Sequence, residues 1–186
     1  LDAVTTGPEV AGAFSRQAPR PGANPLVARR MLEEWPQVGG ADRIEKRLAP
    51  VCGAAIDHEL AHFANTSSCV RRDVWSEIPF PDVPFAEDVA WACLVLAAGY
   101  RLVYEPRSVV LHSHGGSAWR QLRENIAHGR AIRSVFGTPG AAMRPMPARH
   151  GAIARARRDL EYIARLDRPV ADRLAWLCYA PVWHLG

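Results

Sequence analysis

An α/β fold is predicted for this 186-residue chain, on three observations. Glu87-Asp88 heads the apolar run VAWACLVLAA and Gly99 closes it, the punctuation of a helix with acids at its positive end and glycine past its stop. Arg101 to Tyr104 then reads as a strand, and the apolar run Val10 to Phe14 reads as another. Beyond residue 117 only helical periods remain. The division expected is therefore an α/β portion over 1–117 and a basic, helical C-terminal extension over 118–186.

The elements follow in order. The first strand, Val10 to Phe14, runs into Ser15-Arg16-Gln17 and is broken by Pro19, Pro21 and Gly22. Residues 25–35 keep a helical period with Pro25 at the start. Gln37 to Pro50 is weakly patterned. Residues 60–70 mix apolar and small polar types and leave room for a strand. Arg71 to Glu77 reads as one or two helical turns. Ile78 to Pro84 cannot be regular, because three prolines remove donors and bias their predecessors away from helix. After the 87–98 helix come two short strands, Arg101–Tyr104 and Val109–Leu111, with Pro106 as a turn between them. Helical pattern covers 117–136, a Gly/Pro/Met linker 137–147, and two further helices about 149–166 and 170–184.

Apolar residues make up 48% and charged residues 23%, an ordinary globular balance that excludes a disordered tail, a collagen-like repeat and a disulfide scaffold. No run reaches the roughly 18 apolar residues of a membrane span. Cys52, Cys69, Cys93 and Cys178 form no CxxC pair and sit among apolar neighbours, as reduced core thiols do. Residues 1–117 carry 11 cations and 14 anions, whereas residues 118–186 carry 12 and 5. The net charge of +4 thus belongs to the last third, which suits an anionic partner or a solvated helix face. Lys46 is the only lysine. The chain opens at Leu1 in mid-pattern, as a piece lacking an N-terminal part would.

Two constellations bear on chemistry. His58-Glu59-Leu60-Ala61-His62 matches HExxH: on a helix the two imidazoles share a face and bind zinc while Glu59 activates water. The extended form fails, since Asn65 and Ser68 stand where glycine and histidine belong. The second constellation is Glu87-Asp88 with His112 and His114. A carboxylate at a helix N-terminus is held in its charged form and can accept a hydroxyl proton. A histidine at a strand end can ligate a divalent ion. A helix, a strand, a turn and a second strand would return His112 to the neighbourhood of Asp88. Helix capping and a surface strand end are the bland alternatives.

Residues 63–117 (FANTSSCVRRDVWSEIPFPDVPFAEDVAWACLVLAAGYRLVYEPRSVVLHSHGGS) resemble the second half of a family 2 glycosyltransferase catalytic domain, in its bacterial rhamnosyltransferase-like form. The residues that carry the resemblance are Thr66-Ser67-Ser68, then Arg71-Arg72, a Pro/Phe loop, the "ED" pair Glu87-Asp88 with Trp91, Ala98-Gly99-Tyr100, and Tyr104, Pro106, Val110, His112 and His114. Ala11 to Pro19 is similar to the family's "GRQ-x-P" strand. The resemblance covers roughly residues 5–135.

The resemblance implies a partial GT-A fold, the Rossmann-like nucleotide-diphospho-sugar transferase domain with a mixed central sheet. It implies an inverting transfer from a nucleotide-sugar donor to a saccharide or lipid-linked acceptor in cell-surface polysaccharide synthesis. Asp88 would be the base, Glu87 its support, and His112 a ligand of the divalent cation (Mg²⁺ or Mn²⁺) that neutralises the leaving diphosphate. Trp91, Thr66, Ser67, Arg71 and His114 would contact substrate. The family's DxD motif is absent from these residues, so this stretch alone is expected to be inactive. The resemblance places the protein in the cytoplasm, peripheral at the inner membrane face, with no nucleic-acid partner. Trp176, Tyr179 and Trp183 would then be anchors in an anionic membrane surface.

Overall fold

The computed structural model describes residues 2–34, 42–49, 56–113, 118–136 and 152–183. It is a mixed α/β structure around a four-stranded mixed sheet. The strands are β1 (Val10–Ala18), β2 (Ile44–Lys46), β3 (Ser68–Val70) and β4 (Arg101–Leu111), in spatial order β2-β4-β1-β3. β1 and β4 run parallel; β3 on β1 and β2 on β4 are antiparallel. The helices are α1 (Pro25–Arg29), α2 (Arg72–Glu77), α3 (Glu87–Ala97), α4 (Ala118–Phe136), α5 (Ala152–Arg165) and α6 (Val170–Trp183). A π-helical turn, Arg30–Glu34, extends α1. Ile78 to Pro84 is irregular, as its prolines require.

β1 lies between β4 and β3 and is covered on both faces, so its first five residues are continuously buried rather than alternating. On one face Ala11 and Phe14 join Trp91, Val95, Leu102 and Tyr104 in the main core. On the other, Val10, Ala13 and Val103 pack under Ala3 and Val4. A Cβ at Gly12 would stand 3.2 Å from the Trp91 ring and 3.2 Å from the Cys69 carbonyl oxygen, so only glycine lets α3 come this close.

α3 is the crossover that makes β1 and β4 parallel. Val89, Trp91, Ala92, Val95 and Leu96 form its buried face. It ends in a Schellman turn: the Tyr100 N–H donates to the Val95 carbonyl (3.0 Å) and the Gly99 N–H to that of Leu96 (3.0 Å). Gly99 adopts φ +92, which glycine takes without steric cost. The Arg101 N–H then meets the Glu9 carbonyl at 2.7 Å and starts β4 beside β1.

The two short strands expected around Pro106 are one strand. Both halves pair with β1 in the same direction, and the register jumps from Ser15–Glu105 to Arg16–Val109. Residues 106–108 are left out of the ladder, which is how β4 accommodates a proline without an N–H.

The C-terminal helices pack onto the α/β portion. Phe136 of α4 enters the main core. Leu26 of α1, Ile163 of α5 and Ala180 of α6 form a cluster of their own, flanked by Trp176 and Tyr179. Arg29 and Asp159, both 0% exposed, are ion-paired beneath it. Trp176 and Tyr179 pack half-buried against this cluster. The Trp183 side chain and the 137–147 linker lie outside the described residues. No described helix is long and apolar enough to cross a membrane. Of the cysteines, Cys69 and Cys93 are half-buried and Cys178 is exposed, all three as free thiols; Cys52 lies outside the described residues.

Candidate functional site

The carboxyl ends of parallel strands are where α/β sheets bind ligands, because helix N-termini and strand-end loops converge there. Five of the expected site residues, Glu87, Asp88, His112, Thr66 and Ser67, lie at that end of the β1–β4 pair. α3 begins there, with Glu87 and Asp88 in its first turn. Ala86 precedes it in a left-handed conformation (φ 60, ψ 32), a strained entry for a residue with a Cβ. One Asp88 oxygen, Oδ2, accepts the Asn65 N–H at 3.2 Å; the other accepts the Val89 N–H at 2.8 Å. Burial pushes the Asp88 carboxyl above its ordinary value, the Asn65 and Val89 N–H groups pull it back, and Glu87 adds to the rise. A carboxylate shifted upward is a stronger proton acceptor than a solvated one.

His112 follows the last residue of β4, and its N–H donates to the Ala18 carbonyl at 2.8 Å. Asp88 is tied to the Asn65 turn, whose Ser67 hydroxyl meets that of Ser15 at 2.8 Å. Ser15 and Ala18 are three strand positions apart, roughly 10 Å along β1. Asp88 and His112 thus belong to one end of one sheet, anchored at separate points of it. His114 lies outside the described residues.

Three hydroxyls, none of them apparent as a group in the sequence, cluster here. Ser15 Oγ bridges Ser67 Oγ (2.8 Å) and Ser108 Oγ (3.0 Å). Ser108 reaches Ser15 because residues 106–108 leave the ladder. Thr66 is exposed in the same turn. The resemblance singles out Thr66 and Ser67; Ser15 and Ser108 are 93 residues apart and need the sheet to meet.

Two expected substrate contacts are corrected. Trp91 is 0% exposed. Its ring lies between Phe63 and Phe80, and its Nε1 donates to the Ile78 carbonyl at 2.8 Å. It offers no face to a sugar. Arg71 stands at the amino end of β1, where its N–H meets the Ala11 carbonyl at 2.8 Å and its guanidinium pairs with Asp73. β3 therefore separates Arg71 from the Asn65–Ser67 turn. It lines an open depression with Val4, Thr5, Arg72, Asp73 and Ser76, away from Asp88.

The HExxH segment is a single turn, not a helix: the Ala61 N–H donates to the Asp57 carbonyl (2.9 Å) and the Leu60 N–H to the Asp57 carboxylate (2.8 Å). In a helix the Glu59 and His62 carbonyls would accept from later N–H groups. Here both accept from Lys46 Nζ, at 2.6 and 2.8 Å, and the amine lies 5.3 Å from the centre of the Phe14 ring. Burial pushes the Lys46 amine down to about 7, against the pull of Glu59 and Asp57. His62 lies edge-on to Phe14 and is lowered to about 3 by burial, then by Lys46, His58 and His128. His58 is lowered too, first by burial. The two rings are 6.3 Å apart.

Among the described residues no group of three or more His, Cys, Asp and Glu side chains could hold a metal ion. That applies to zinc at His58 and His62 and to Mg²⁺ or Mn²⁺ at His112, where one imidazole does not make a site. No family model, no curated protein and no solved structure matches the chain.

Proposed function

We propose that this chain is the acceptor-side portion of an inverting glycosyltransferase of GT-A type, with Asp88 as the base. The observation that carries this reading is the place of Asp88: a half-buried carboxylate of raised proton affinity, in the first turn of the crossover helix, at the carboxyl end of the parallel strands. Asp88 takes the proton of an acceptor hydroxyl as that oxygen bonds to the anomeric carbon. The bond from that carbon to the nucleoside diphosphate breaks on the opposite side. Burial keeps the Asp88 proton affinity high, and Glu87, beside it, adds to the rise. The Ser15–Ser67–Ser108 hydroxyls offer neutral hydrogen bonds of the kind a saccharide acceptor needs. The resemblance also calls for a divalent cation, but the described residues do not supply its site, so no step is routed through it.

The test is transfer from nucleotide-diphosphate sugars by the full-length protein carrying Asp88→Asn. Asparagine keeps an oxygen for the Asn65 or Val89 N–H and cannot take a proton. Transfer is expected to fall with the fold retained; transfer at the wild-type rate refutes the role.

A second reading concerns the partner surface. Ile153 of α5 is 87% exposed, and Leu160, Val170 and Leu174 are also exposed, among the arginines of α5 and α6. We propose that this face, rather than Trp176 and Tyr179, meets anionic lipid. Sedimentation with phosphatidylglycerol vesicles at low salt is expected to carry the protein down and Ile153→Asp to release it; equal pelleting by both proteins refutes the contact.

A further inference from the structure

Lys46, the only lysine of the chain, is 5% exposed and forms part of the wall of a cleft. It lies on β2, in register with Leu102 of β4. Its Nζ donates to the Glu59 carbonyl at 2.6 Å and to the His62 carbonyl at 2.8 Å, and stands 5.3 Å from the centre of the Phe14 ring. An ammonium carries three N–H donors and no electron pair; a neutral amine carries two donors and keeps one pair. Two carbonyls therefore satisfy the neutral amine in full and leave over the pair that attacks carbon. Burial favours that neutral form and holds the amine down at about 7, although Glu59 and Asp57 face it and pull the other way. His62 and His58, the other titratable groups around it, are themselves kept neutral, first by burial.

The cleft has a volume of about 350 Å³ and is lined, besides Lys46, by Ile44, Glu45, Arg47, Asp57, Glu59 and Leu60. Glu45 is ion-paired with Arg43 and Arg101, which leaves Asp57 and Glu59 against Arg47. A lining with more acid than base does not recruit an anion, so the ligand that suits it is uncharged. A desolvated lysine at such a cleft has the chemistry to capture carbonyl compounds as imines. The electron pair of Nζ attacks the carbonyl carbon, which forms the C–N bond and an alkoxide. Glu59, the carboxylate acting most strongly on the amine, carries the two nitrogen protons in turn to that oxygen. The C–O bond then breaks, water leaves with both protons, and the C=N bond remains.

We propose that Lys46 is a carbonyl-capturing amine, which condenses with a small uncharged aldehyde or ketone in the cleft beside β2 and holds it as an imine. The site stands independently of the transfer reading: it uses neither Asp88 nor a sugar donor, and its result is separate from that of Asp88→Asn.

The experiment is reductive trapping with propanal and sodium cyanoborohydride, on the folded protein and on the same protein unfolded in guanidinium chloride, at pH 7, 8 and 9. Hydride from the cyanoborohydride reduces the imine to a stable propylamine, which tandem mass spectrometry locates. Because Lys46 is the only lysine, its adduct is read apart from that of the N-terminal amine. At pH 7 about half of an amine titrating at about 7 is neutral, against about one in three thousand at the ordinary value of 10.5. Folded Lys46 is therefore expected to be trapped at least tenfold faster than unfolded Lys46 at pH 7. That ratio is expected to shrink towards pH 9, as the unfolded amine deprotonates and the folded one has no more protons to lose. A ratio of one or less at pH 7 shows the amine to be charged or closed off from the cleft and overturns the proposal. A ratio that does not fall between pH 7 and 9 overturns it as well.

Discussion

Acid should unfold this protein through His62. Its folded value is about 3 against 6.5 for a free imidazole, because burial against Phe14 disfavours the charged ring, and Lys46, His58 and His128 add to the effect. The unfolded state therefore binds one proton more than the folded state between pH 6.5 and 3. Stability contributed by neutral His62 is complete above 6.5 and is lost as the pH falls through that window. Integrating the linkage from neutral pH to pH 5 gives a loss of about 2 kcal/mol from this one residue. His58, shifted in the same direction, adds to it. The assay is urea unfolding of wild type and His62→Gln at pH 8, 6 and 5. Glutamine does not titrate, so the variant should lose about 2 kcal/mol less than wild type between pH 8 and 5. An equal acid loss in the two proteins would show that the imidazole is protonated as readily in the folded state as in the unfolded one, and would contradict its burial against Phe14.

Further outcomes follow from the same contacts. Arg29→Met removes the ion-pair partner of the buried Asp159, so urea unfolding should register a loss of about 3–5 kcal/mol, and the double change with Asp159→Leu should recover much of it. A non-additivity near zero would show that the pair does not tie α1 to α5. The acid limb of the transfer rate should lie above the ordinary aspartate value of 3.8, since the Asp88 base must be ionised and burial raises its proton affinity; a limb at or below that value contradicts the assignment.

Much of the fold is legible in the residues themselves where one local signal decides. Glu87-Asp88 and Gly99 bound α3 because dipole and left-handed glycine act within a turn of the helix end. The three prolines of 78–84 exclude regular structure by their covalent geometry. Other features depend on partners distant in sequence. β1 continues through Ser15, Arg16 and Gln17, polar residues that the apolar run at Val10–Phe14 did not include, because β4 pairs with them all the way to Leu111. β2 has three residues, two of them exposed, and its strand character comes from Tyr104, Val103 and Leu102 opposite. The HExxH segment has helical spacing, but Lys46 takes two of the carbonyls a helix would use.

The site divides in the same way. Glu87 and Asp88 are readable as a helix start, and the sheet places that start at the carboxyl end of its parallel strands. Trp91 enters the site only through the resemblance, as the aromatic after the acidic pair, and the Phe63 and Phe80 rings that enclose it come from other segments. Arg71 is only four positions after Ser67, and one antiparallel strand is enough to carry it to the far end of the sheet. The Ser15–Ser108 contact arises from the register jump in β4, a feature of strand pairing that leaves only Pro106 as its trace in the sequence.

The most direct measurement is single-turnover sugar transfer by full-length protein, wild type against Asp88→Asn, with nucleotide-sugar affinity measured in parallel. If Asp88 is the base, the transfer rate falls by about 10²–10⁴-fold while donor affinity is unchanged. A variant that transfers sugar as fast as the wild type would leave Asp88 as a helix cap and remove the catalytic assignment.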